Sequence, residues 1–310
     1  MKHLLSILDL NKKEVLDLIQ KAIKIKKHPN KFKNKLNQKV LLTFFAAPSL
    51  RTELSFDTAM FQMNGEVIDY HSETSPWAKG KESLEDVARV VSRYCDIVMI
   101  RMNDHYELLK FAKNSSIPVI NGLTSFEHPC QILSDLLTIY EKKNKLTKLK
   151  LAYFGDSNNN VTHSLIYAAA LLGINIVVCC PIKKEFLPNI NVIKNAYKIA
   201  KKTKARIVVT QNVKEVAKNA DVIYTDSWMS YRIPKSQHKK RVKILKKFQV
   251  NKNVMKLAKK DAVFMHCLPA LRGEEVTKEV IDGKQSVVFD QAENRLYMQK
   301  AILLKLLNKN

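Results

Sequence analysis

Apolar residues along this chain follow two alternating rhythms. Short continuous apolar runs, the mark of strands buried on both faces, cover residues 40–45, 96–100, 118–120, 151–154, 174–180, 206–210, 221–224, 262–266 and 286–289. Between them the apolar positions recur at helical spacing. Asn11 and Glu14 stand three apart before Val15, Leu16, Leu18 and Ile19, which predicts a helix opened by a capping box. Further helices are expected over 82–94, 129–141, 163–172 (closed by Gly173) and about 293–307. Strands alternating with helices imply parallel sheets covered on both faces. The pattern restarts near residue 149 after a polar stretch, so the fold expected is α/β with two doubly wound domains. Right-handed crossovers then place ligand loops after the carboxyl ends of strands.

Composition narrows the class. The formal net charge is +24, which raises the question of a nucleic-acid partner. The excess is mostly lysine spread along the whole chain. Runs such as Lys142-Lys143-Asn144-Lys145 and Lys239-Lys240-Arg241 read as helix ends or solvated faces, so no specific nucleic-acid partner is expected. The five cysteines form no Cys-x-x-Cys pair, which argues for a reducing cytoplasm and against a disulfide framework or a zinc ribbon. No apolar run approaches the roughly 18 residues of a membrane span, and the start of the chain shows no secretory signal, so no membrane partner is expected.

Candidate chemistry sits just after the predicted strands. Ser49-Leu50-Arg51-Thr52 follows one strand and opens a helix, where backbone N–H groups, hydroxyls and a guanidinium suit an anion, although many ordinary turns share this make-up. Arg101 ends another strand. His128-Pro129-Cys130-Gln131 opens a helix and can either address a polar ligand or simply cap it. Gly155-Asp156-Ser157-Asn158-Asn159-Asn160 lies where a dinucleotide fingerprint would, but the Gly-x-Gly-x-x-Gly pattern is absent. Asp226-Ser227-Trp228-Met229-Ser230, His266-Cys267-Leu268-Pro269 and Glu293-Asn294-Arg295 complete the set.

In this order and spacing, over nearly the whole chain, these segments resemble the aspartate/ornithine carbamoyltransferase family. Cys267 in the His-Cys-Leu-Pro segment, and the tail from Glu274-Glu275-Val276 to Asp290-Gln291-Ala292-Glu293-Asn294-Arg295, are similar to its ornithine members. The resemblance implies a carbamoyl phosphate domain over 1–141 and 292–310 and an amino-acid domain over 142–291. It implies that Ser49, Leu50, Arg51, Thr52, Trp77, Arg101, His128, Gln131, Cys267, Leu268 and Arg295 bind carbamoyl phosphate. Asn160, Asp226, Ser230 and Tyr231 would bind L-ornithine, and Arg101, His128, Gln131, Asp226 and Cys267 would serve catalysis. No metal or organic cofactor is implied. The family's trimers have a segment around Trp77 reaching into the neighbouring subunit.

Four positions depart from the ornithine pattern. Leu50 replaces a Thr, Glu53 an Arg, Trp77 a Gln, and Tyr231-Arg232 a Met-Gly pair. Trp77 resembles the members that take N-acylated ornithine, whereas Asp226 resembles those that take ornithine itself.

Overall fold

The computed structural model describes residues 2–72, 75–229 and 233–309. The chain divides into two compact units, Met1–Leu137 with Glu293–Asn310, and Thr138–Ala292.

In the first unit a four-stranded parallel sheet has the order β2-β1-β3-β4, from β1 (Val40–Phe45), β2 (Glu66–His71), β3 (Ile97–Arg101) and β4 (Val119–Leu123). Its helices are α1 (Lys12–Lys27), α2 (Leu50–Gln62), α3 (Leu84–Tyr94), α4 (His105–Asn114) and the start of α5 (Pro129–Lys143). The chain winds from β1 outward to β2, then returns to the other side of β1 for β3. The order therefore reverses between β1 and β3, and in folds of this kind ligands bind beyond the carboxyl ends of two such strands. β1 and β3 carry apolar residues on both faces because helices cover both. The expected capping box is present: the Asn11 side chain accepts from the Glu14 N–H at 3.0 Å, and Glu14 accepts from the Asn11 N–H at 3.0 Å.

The second unit repeats the plan with five strands in the order β7-β6-β5-β8-β9. These are β5 (Lys150–Phe154), β6 (Asn175–Cys179), β7 (Ile207–Thr210), β8 (Val222–Thr225) and β9 (Val263–Met265). They alternate with α6 (Asn160–Leu172), α7 (Ile190–Thr203), α8 (Val213–Ala217), α9 (His238–Leu245), α10 (Lys252–Leu257) and α11 (Lys278–Ile281). Here the reversal falls between β5 and β8. α6 is buried nearly all round, as its unbroken apolar face requires, and Gly173 ends it in the left-handed conformation at φ 77°. The last helix, α12 (Val288–Leu306), begins in this unit. From Glu293 it belongs to the first, where Lys26 donates to Asn294 at 2.9 Å and Lys305 pairs with Glu14 at 3.0 Å.

Two expectations are corrected. Residues 286–289 form no strand: Ser286 makes a single bridge to Phe264 and helix α12 starts at Val288. A four-residue apolar run suits either structure, and the 70% exposure of Phe289 beside buried Val287 and Val288 fits the helical turn. The basic run at 239–241 is not wholly solvated, since Arg241 is buried against Asp156. No helix among the described residues is long and apolar enough to cross a membrane.

Glu53 has a physical consequence. It lies one turn before Asp57 on α2, with Asp69 of β2 nearby, and burial, then Asp69, then Glu53 push the Asp57 carboxyl up to about 7. The folded state therefore holds a proton that the unfolded chain releases near pH 4, and stability falls as pH rises from about 4 to about 7. Asp57→Asn should raise the melting temperature at pH 8 by roughly 1–2 °C and leave it unchanged below about pH 4. Equal melting of both proteins at pH 8 would show that the carboxylate is not strained.

Candidate active site

The first cluster gathers at the carboxyl ends of β1 and β3. Ser49 caps α2, its hydroxyl accepting from the Thr52 N–H at 3.3 Å. Residues 50–52 thus form the first helical turn, whose N–H groups favour negative charge. Leu50 is 68% exposed, so its side chain packs nothing and only its backbone is suited to a ligand. Arg101 closes β3 and is buried, His128 precedes α5, and Gln131 sits in that helix's first turn. Arg295, on α12, donates to the Gln131 Oε1 at 2.6 Å and to the Thr52 Oγ1 at 3.2 Å. Residues more than 160 positions apart are joined by these two bonds.

The electrostatics of this cluster are one-sided. His128 is buried, and its pKa lies well below the ordinary value of 6.5 because burial, then Arg295, Arg101 and Arg51, all disfavour a second positive charge. At neutral pH it is an uncharged imidazole able to donate one hydrogen bond. Three guanidinium groups around it, two of them buried, make a positive site that suits an anion. Gln131 also donates through Nε2 to the buried Asp135 carboxylate at 2.8 Å. Asp135 was not among the residues expected from sequence, although its spacing of four from Gln131 on one helix face offered the signal.

The second cluster lies after β8 and β9, beside the reversal point of the other sheet. Asp226 directly follows β8 and Cys267 follows β9 by one residue, and the Cys267 thiol donates to the Asp226 Oδ1 at 3.0 Å. Both are half-buried. The supports of this pair were also missed in the sequence. His266 is fully buried; its Nδ1 accepts from the Leu268 N–H at 2.8 Å and its Nε2 faces the buried Glu275 carboxylate at 3.4 Å. Leu268 is thereby held at a φ of 58°. The Gln291 side chain accepts from the His266 N–H at 3.0 Å. On the Asp226 side, buried Arg241 donates to the Trp228 carbonyl at 3.1 Å and to Asp156. Burial raises Asp156 to about 6 even with Arg241 opposing the shift.

Asp226, His266 and Cys267 place three donor atoms within 4.8 Å of one another, as a metal site would. The His266 Nδ1 lone pair is already engaged by the Leu268 N–H.

Asn160 is the first residue of α6 beside its cap Asn159, whose side chain accepts from the Thr162 N–H at 2.8 Å. Trp77 packs edge-on against Phe44 of its own unit, with ring centroids 5.7 Å apart. Ser230 and Tyr231 lie outside the described residues.

Comparison with known proteins places the chain in a family. The profile of the carbamoyl-P binding domain of aspartate/ornithine carbamoyltransferases matches residues 2–141, and that of their Asp/Orn binding domain matches residues 147–306. The chain belongs to the aspartate/ornithine carbamoyltransferase family. Among this family's members it is 44% identical to an ornithine carbamoyltransferase of Archaeoglobus fulgidus, over 100% of this chain and 98% of that one. Its identity to an ornithine carbamoyltransferase of Methanococcus aeolicus is 43%, over 99% and 100% of the two chains. The solved ornithine carbamoyltransferase from Pyrococcus furiosus superposes with a TM-score of 0.94 at 41% identity, covering 99% of this chain and 97% of that one. The ornithine transcarbamoylase of Giardia lamblia gives 0.90 at 40% identity, covering 99% and 98%.

A carbamoyltransferase of this build should keep His128 neutral. Nitrogen-resolved NMR of the unliganded protein should find its ring uncharged through the range around 6.5 where an ordinary histidine titrates. A titration centred there would mean that the three arginines do not act on it.

Proposed function

We propose that this chain transfers the carbamoyl group of carbamoyl phosphate to the δ-amino group of L-ornithine, giving L-citrulline and phosphate. The observation that carries the choice of acceptor is the Cys267–Asp226 hydrogen bond, which sets a thiol and a carboxylate side by side at the ends of neighbouring strands.

In this reading the first unit, taken as 1–141 with 292–310, holds the electrophile and the second, 142–291, the nucleophile. Ser49, Arg51, Thr52, Arg295 and the backbone of Leu50 bind the phosphate, with Trp77 and the backbone of Cys267 and Leu268 as further contacts. Arg101, His128 and Gln131 address the carbamoyl group. Ornithine, held by Asn160, Asp226, Ser230 and Tyr231, arrives with a protonated δ-amine, and Asp226 with Cys267 orients it and eases loss of that proton. The nitrogen attacks the carbamoyl carbon and forms the C–N bond, while Arg101 and neutral His128 donate to the oxygen that gains charge; such donors contribute about 3–4 kcal/mol each. The adduct sheds its second nitrogen proton and breaks the carbon–oxygen bond to phosphate, which departs as an anion stabilised by Arg51, Arg295 and the start of α2. No step calls for a metal or an organic cofactor. Packing against Phe44 gives Trp77 a role that needs no acylated acceptor.

The same reading makes the protein a cytoplasmic enzyme of arginine metabolism, a setting that suits five cysteines none of which is in a disulfide. It also makes it a homotrimer. Leu54, Phe61 and Ile68 on α2 and β2 are exposed by 56%, 82% and 49%, large apolar side chains that a second copy would cover. Sedimentation should give three chains per particle; a monomer at assay concentration would exclude the trimer.

A ureido-product assay with carbamoyl phosphate should show turnover with L-ornithine and at most traces with N-acetyl-L-ornithine, N-succinyl-L-ornithine, putrescine or L-aspartate. Asp226→Asn should lower kcat by about 10²–10³-fold. Absence of turnover from folded wild-type protein would sink the proposal.

A further inference from the structure

Gln131 and Asp135 stand four residues apart on one face of α5, and both are buried, at 2% and 0% exposure. The Gln131 amide lies between two neighbours of opposite character. Its Nε2 donates to the Asp135 Oδ1 at 2.8 Å, and its Oε1 accepts from the Arg295 Nη1 at 2.6 Å. A carboxylate only accepts and a guanidinium only donates, so both neighbours demand the same orientation of the amide. Turned over, it would set N–H against N–H and oxygen against oxygen, both buried.

The orientation decides what the cluster can recognise. Gln131 presents an oxygen on the side of the arginines, and that oxygen has a second lone pair to accept a hydrogen bond from a ligand. Carbamoyl phosphate bears an NH2 group on its reacting carbon. Acetyl phosphate has the same phosphate and the same carbonyl, with a methyl group in place of the NH2. An amide held with its oxygen forward distinguishes the two, and a freely turning amide does so poorly.

Arg295 alone is a weak guarantor of that orientation. In the functional reading above, on which this inference rests, Arg295 also holds the phosphate, so a bound ligand competes for its donors. A carboxylate has no attraction for the phosphate and keeps its hold on Nε2. The placement also avoids a conflict, since a carboxylate directly on Arg295 would neutralise the cation that the anion needs. We propose that Asp135 is a positioning residue that locks the Gln131 amide and so makes the site read the amino group of carbamoyl phosphate.

The test uses Asp135→Asn, which conserves volume but offers both a donor and an acceptor and so releases the lock. The KM for carbamoyl phosphate should rise about tenfold. Inhibition constants of acetyl phosphate and inorganic phosphate, both competing with carbamoyl phosphate, should stay within about twofold. Gln131→Met, which removes the amide while leaving Asp135 intact, should show the same selective loss, and the double variant should be no worse than Gln131→Met alone. A parallel shift of all three ligands would assign Asp135 to packing only, and an unmoved KM in a folded Asp135→Asn protein would overturn the proposal. If wild-type protein binds phosphate but does not turn over carbamoyl phosphate with ornithine, the functional reading fails, an outcome distinct from either of these.

Discussion

Three guanidinium groups surround a single uncharged imidazole beyond the ends of β1 and β3, and much else in the first unit follows from the cost of holding them there. Cations of one sign repel, and two of these are almost wholly withdrawn from water. A threonine hydroxyl and a glutamine carbonyl accept from Arg295, and Arg51 lies beside the dipole of a helix start. The combined field of the three favours negative charge. Topology makes this possible, because winding outward from β1 and returning for β3 reverses the strand order where the end of β3 and the start of α2 lie.

The second unit solves a different problem with the same winding. Here a thiol and a carboxylate are held close to one another. The backbone does this: β8 and β9 are adjacent and parallel, so the residues just past their ends are neighbours. Buried polar groups behind each residue fix its direction. His266, Glu275 and Gln291 stand behind Cys267, and Arg241 and Asp156 behind the loop of Asp226.

Much of this was legible from the residues alone. Strands covered on both faces announced themselves, and β1 falls where residues 40–45 were expected. β2 did not, because Glu66, Asp69 and His71 lie exposed on a sheet edge, where charge discourages further pairing and hides the apolar rhythm. The polar motifs of the site were visible as motifs. Their supports were not: Asp135, Glu275 and Arg241 are charged residues that sequence reasoning assigns to water, and only the fold reveals the partners that let them be buried. Gln131 shows the difference most clearly, since its type suggests a polar contact but only its two neighbours say which atom faces Arg295 and which faces Asp135.

The neutral imidazole has a further implication for how such an enzyme meets changes in acidity. Arginines do not titrate in water near neutrality, and a histidine held far below its ordinary range does not either. The arginines and the imidazole beyond β1 and β3 therefore keep a constant charge across physiological pH. What changes with acidity lies elsewhere, in the carboxyls of Asp57 and Asp156, raised to about 7 and about 6, and in any ionisable molecule that arrives. Such a cluster meets the ionisation of its ligand without adding a transition of its own.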